Sequence, residues 1–217
     1  MLFTLIISLF VVSTAYCDEP WVHITTNDAI KIYAKKVASS PLRALRAEGM
    51  VDGKIENIVA ILRNVKSATK WVPNLIERTD LESPSDVEVI LYDITDMPWP
   101  LKDRDSVVHY KLSMSKDKKS LVLNFKSVDH SKMPLADNRV RAIITYGILE
   151  FSPRGDKTFA RLTMLVDPMG KIPKWAVNLV QVRFPYDFLM SLNEYAPKTQ
   201  LKPLPKIQKM IDQLIRD

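Results

Sequence analysis

The chain has one cysteine, Cys17, three histidines and five glycines among 217 residues, and each scarcity removes a class of chemistry. With one thiol, no intrachain disulfide and no cysteine-based zinc cluster can form. His23, His109 and His130 stand in no metal-ligand spacing, and neither H-E-x-x-H nor a G-x-S-x-G nucleophile elbow is present. So few glycines, with no G-x-G-x-x-G and no P-loop, leave no phosphate cradle for a nucleotide. The expectation is a protein with no metal, no cofactor and no catalytic residues.

What is present describes a folded domain. Apolar residues make up 47% and charged residues 26%, a balance that fits one globular unit of ordinary size with no internal repeat. The net charge of +6 suits a soluble surface or attraction to an anionic membrane. The basic residues are scattered, with no zinc-finger spacing and no basic helix, so nucleic acid is not an expected partner.

Residues 1–17 differ from the rest. Leu2 to Val12 is apolar apart from Thr4 and Ser8, the small residues Ser13, Thr14 and Ala15 lead through Tyr16 to Cys17, and the first acid is Asp18. This pattern predicts a secretory signal, too short for a comfortable membrane span, and hence export to a periplasm or the exterior. A lipid anchor on Cys17 and an uncleaved anchor are the competing readings.

Short alternating runs predict strands over Trp21–Ile24, Ala29–Val37 and Leu42–Val51. Ile55, Ile58, Val59 and Leu62 then take helical spacing, with Asp52 or Gly53 as the expected N-cap. From Leu75 to Val128 the pattern is a meander, with strands at Val87–Tyr92, Val107–Met114 and Leu121–Val128. Asp96–Leu101 forms a loop because its two prolines cannot donate to a ladder. Strands at Val140–Phe151 and Thr158–Val166 precede a long helix from Pro173 to Tyr195, kinked at Pro185. An extended linker leads to an amphipathic terminal helix carrying Ile207, Met210, Ile211, Leu214 and Ile215. Segregated elements of this kind predict an α+β fold.

Several motifs taken in order resemble the START family of steroidogenic-acute-regulatory-protein-related lipid-transfer domains. They are Val166–Asn178 (VDPMGKIPKWAVN), Trp99–Asp105 (WPLKDRD), Val140-Arg141, Glu150–Pro153 and Thr158. The resemblance spans roughly residues 21–195. It implies a helix-grip fold, a curved antiparallel sheet wrapped around a long C-terminal helix that encloses a hydrophobic cavity. The expected organisation is a signal over 1–17, a lipid-binding domain over 18–196 and a basic tail over 197–217.

A fold of this kind implies a monomeric carrier of one sterol, phospholipid or related lipid, touching membranes transiently. Trp175, Leu179, Val182, Tyr186 and Leu189 are the candidates for the inner face of the last helix. Met114, Tyr146 and Met164 are candidates for the wall, Met97 and Trp99 for the rim or a membrane contact, and Arg141 for a lipid headgroup. Plain core packing or a structural ion pair is the alternative for each. Related helix-grip proteins include cyclases and aromatases, so His109 or Tyr110 facing the cavity is the enzymatic alternative. A lipid-sensing adaptor is the other.

Overall fold

The computed structural model describes residues 19–172 and 183–216. Ten strands form one antiparallel sheet among these residues: β1 (Val22–Asn27), β2 (Ile30–Lys36), β3 (Arg43–Asp52), β4 (Leu75–Ser85), β5 (Glu88–Thr95), β6 (Arg104–Met114), β7 (Leu121–Ser127), β8 (Val140–Arg141), β9 (Ile143–Arg154) and β10 (Lys157–Asp167). Their order is β1-β2-β3-β10-β9-β7-β6-β5-β4, with β8 alone running parallel, beside β6. The helices among the described residues are α1 (Ile55–Arg63), a 3-10 segment (Val65–Lys70), α2 (Phe184–Tyr195), a second 3-10 segment (Ala196–Lys198) and α3 (Pro205–Arg216). The architecture is the expected α+β helix-grip, a curved antiparallel sheet with C-terminal helix packing.

The short hairpin between β1 and β2 turns through Asp28 and Ala29, both at positive φ. A tight hairpin requires that backbone, which an aspartate tolerates better than an alanine. The Tyr186 hydroxyl of α2 donates to Asp28 Oδ2 and ties the turn to the helix. α1 begins at Ile55 with Lys54 as its N-cap and no side-chain cap, so neither Asp52 nor Gly53 serves. Gly53 takes positive φ, and its carbonyl accepts from the Thr158 hydroxyl at 2.8 Å.

Two strand assignments change. Val140–Phe151 is not continuous, because Ala142 separates β8, which follows β6, from β9, which follows β10 and β7. Leu75–Ser85 is a full strand whose pairing with β5 shifts three times. Each bulge resets which face a residue occupies, which erases a period-two pattern.

One core cluster joins the sheet to α1, α2 and α3, through Ile58 of α1, Leu189 and Leu192 of α2, and Ile207, Ile211 and Leu214 of α3. The terminal helix is therefore built into the domain. Its approach is held by Asn57, whose Nδ2 donates to the carbonyls of Ala196 (3.0 Å) and Thr199 (2.8 Å). Asn57 Oδ1 accepts from the Leu201 N–H at 2.9 Å. A buried amide with both ends satisfied fixes the linker.

Candidate functional site: an apolar cavity with a polar belt

Between the sheet and the helices lies a cavity of about 220 Å³. A single water needs only about 10–15 Å³ by this measure, so the space suits a sizeable ligand. Its wall follows strand alternation: Val87, Val89, Leu91, Asp93 and Thr95 come from β5 and the turn before it. From Val87 to Thr95 the wall extends roughly 26 Å at about 3.3 Å per residue.

Polarity changes along that length. Arg78, Asp93 and Ser106 stand opposite one another across β4, β5 and β6, and Thr95 faces Arg104 one step further on. All five line the cavity, toward the end that carries the β5–β6 loop. The other half is walled mainly by apolar side chains such as Leu112, Leu123, Phe125, Leu149, Phe151 and Ile207, with Arg63 and Asp86 also on the lining.

Arg78 donates from Nε to Asp93 Oδ1 at 2.7 Å and from Nη2 to Oδ2 at 2.6 Å. The two side chains are 10% and 9% exposed. Burial works against the Arg78 charge, but the adjacent carboxylate more than offsets it and holds the guanidinium above its ordinary range. Tyr110 stacks on Phe125 at 5.3 Å between ring centroids. Burial first, then the Asp93 charge, pushes the Tyr110 phenol well up, so it stays protonated.

Arg104 and Asp105 face opposite sides of β6, as strand geometry demands. Arg104 lines the cavity and donates to the carbonyls of Pro168 and Met169, each at 3.0 Å. It thus clamps the Asp167–Gly170 turn, where Met169 and Gly170 both take positive φ. Asp105 accepts both Nε and Nη2 of Arg141 at 2.9 Å and the Tyr92 hydroxyl at 3.1 Å.

Of the residues singled out from sequence, Met97 and Met164 lie on the cavity wall. Arg141 does not, since Asp105 and the carbonyls of Met133 and Pro134 occupy its donors. Met114 ends β6, beyond the cavity. Tyr146 is off the wall: Thr145 has no opposite residue between the Leu165–Tyr146 and Val166–Ile144 pairs, and this bulge lets Ala142 and Ile144 share the cavity face with Leu149 while Tyr146 does not. On α2, Phe184 and Phe188 line the cavity, while Leu189 packs in the core and Tyr186 turns to Asp28. Trp175, Leu179 and Val182 lie outside the described residues. Trp99 is 90% exposed in the β5–β6 loop. His109 is off the wall and 2.7 Å from Glu88, whereas Tyr110 is on it.

Sequence reading missed Arg78, Asp93 and Ser106. A carboxylate inside the apolar run Val89–Ile94 was the available signal, because such a charge is kept only with a partner.

A family model for the START domain matches residues 11–185. An uncharacterized protein of Pseudomonas aeruginosa is 26% identical over 181 residues, covering 83% of this chain and 88% of that protein. Human START domain-containing protein 10 is 32% identical over 129 residues, 58% of this chain; the match spans only 43% of that protein. The solved structure of a STAR-related lipid transfer protein fragment from Xanthomonas axonopodis superposes with a TM-score of 0.72 at 26% identity, covering 82% of this chain and 98% of that one.

Proposed function

The chain belongs to the START domain family, and from that membership and the shape of its cavity we propose that it binds one lipid and carries it between membranes. The observation that carries this reading is the long apolar cavity with its polar belt at one end. The hydrocarbon part of a ligand lies among the aliphatic and aromatic side chains, and its polar group meets Arg78, Asp93 and Ser106. Apolar burial contributes about 25 cal/mol per Å² before the costs of ordering, so most of the affinity is non-directional. The polar belt sets orientation.

Membrane contact is assigned to the same end. Trp99 and Leu135 are 90% and 76% exposed, on loops joined by the Lys102 ammonium donating to the Asp137 carbonyl at 2.8 Å. Large exposed apolar side chains on adjoining loops suit insertion into a lipid interface. The net charge of +6 favours an anionic one. The apolar leader supports export, so the membranes in question lie outside the cytoplasm.

A carrier is favoured over a cyclase-like enzyme on the same fold. His109 is off the cavity wall, and the phenol of Tyr110 is too weakly acidic to serve as a base at neutral pH.

Native mass spectrometry of the protein purified from its own compartment, followed by lipid extraction, tests the reading. The expected result is one lipid per chain and its movement between vesicles. Tight binding without transfer marks a sensor. Protein that is empty and takes up no lipid from mixed vesicles overturns the proposal.

A further inference from the structure

We propose that Ile207, on the terminal helix α3, is the floor of the cavity and sets the longest hydrocarbon chain it accepts; this rests on the lipid-carrier reading above. The START match ends at residue 185, so α3 lies beyond the matched residues. Ile207 nevertheless lines the cavity, and it is the α3 residue that does so among the described residues. Its side chain is 1% exposed and belongs to the main core cluster.

Three connections fix its position. Lys206, the preceding residue, donates its N–H to Asp86 Oδ2 at 3.0 Å, placing a carboxylate at the positive end of the helix. Arg63, closing α1, donates to the Asp86 carbonyl at 3.4 Å and to the Ser83 hydroxyl at 3.0 Å. Asn57 holds the linker as described above. Ile207 is thereby held at the end of the cavity where Val59, Leu62, Asp86 and Val87 also contribute to the wall. The polar belt lies at the other end, so a ligand held there by its polar group extends its chain toward Ile207. Close-packed walls yield little, so one side chain at the terminus limits length.

Ile211, one turn further along, is fully buried but does not line the cavity. It supplies a control that perturbs α3 without altering the floor.

The test uses the full chain and a series of straight-chain fatty alcohols of increasing length, with occupancy read by native mass spectrometry. Ile207→Ala deletes three carbons from the floor and is expected to raise the longest accepted chain by about two methylene groups. Ile207→Trp is expected to lower it, and Ile211→Ala to leave it unchanged. If the Trp variant does not fold, Ile207→Val still raises the limit by a smaller step. Folded Ile207 variants with the wild-type limit overturn the assignment of the floor while the carrier reading stands. A wild-type protein that binds no alcohol but takes up lipid from mixed vesicles overturns the floor assignment, and one that takes up neither overturns the carrier reading itself.

Discussion

Arg78 and Asp93 sit directly opposite each other on β4 and β5 and form a two-point ion pair, with distances of 2.7 and 2.6 Å, in the wall of a mostly apolar cavity. The pair is the principal polar feature offered to a ligand's head, and it is also a strict structural constraint. Removing either partner alone leaves a buried charge.

Asp93→Ala is expected to destabilise the fold by about 3–5 kcal/mol, the usual result of stranding one member of a buried pair. The double variant Arg78→Met/Asp93→Leu is expected to recover most of that loss while relaxing selection for the ligand's polar group. Denaturant unfolding and the composition of co-purified lipid read the two effects separately.

Tyr110 gives a pH dependence. Burial raises its pKa in the folded state, so between about pH 10 and that raised value the native protein keeps a proton that the unfolded chain has lost. Its contribution is whole below about pH 10 and falls as pH climbs through the folded value. Unfolding free energies measured across the alkaline range should decline above about pH 10, less steeply for Tyr110→Phe.

Gly147 faces Phe125 across β9 and β7, and a Cβ there would lie 2.0 Å from Phe125 Cε2. Gly147→Ala must displace the ring from its stack on Tyr110. We expect a loss of about 1–3 kcal/mol by thermal or chemical unfolding, with reduced lipid occupancy.

Asn57→Ala strands two carbonyls and one N–H that anchor the approach to α3. A cost of about 2–4 kcal/mol is expected. Limited proteolysis should release the C-terminal helix before the rest of the chain unfolds.

Trp99→Ala alters an exposed loop and should leave stability within about 0.5 kcal/mol. Vesicle-to-vesicle transfer is expected to slow several-fold with lipid occupancy unchanged. Equal transfer rates for the two proteins would remove Trp99 from the membrane contact.

Most strands were legible along the chain because they alternate cleanly and the turns carry strong signals, whereas their order in the sheet appears only in the fold. β4 was obscured by its bulges, which reset alternation within a strand rich in charge. The Arg-Asp motif was legible as two separate contacts because adjacent strand residues face apart. Its partners, Arg141 and the Pro168 and Met169 carbonyls, come from distant positions that no local pattern links. The cavity wall was harder. One bulge at Thr145 separates Tyr146 from the face that Ile144 occupies, and on α2 the wall takes Phe184 and Phe188, leaving Leu189 to the core. Arg78 and Asp93 become a site only when β4 pairs with β5.

The hydroxyl of Thr158 on the Gly53 carbonyl closes a contact between residues 105 positions apart, where β10 completes the pairing of β3. A chain emerging from the ribosome, or threading a translocon, therefore holds its first three strands with one edge open until the tenth arrives. Such delayed closure makes folding slow and leaves intermediates exposed to self-association. The container is finished only when Ile207, still later in the chain than Thr158, is in place. A first cargo molecule is thus acquired in the last steps of folding or later, and never by the nascent sheet alone.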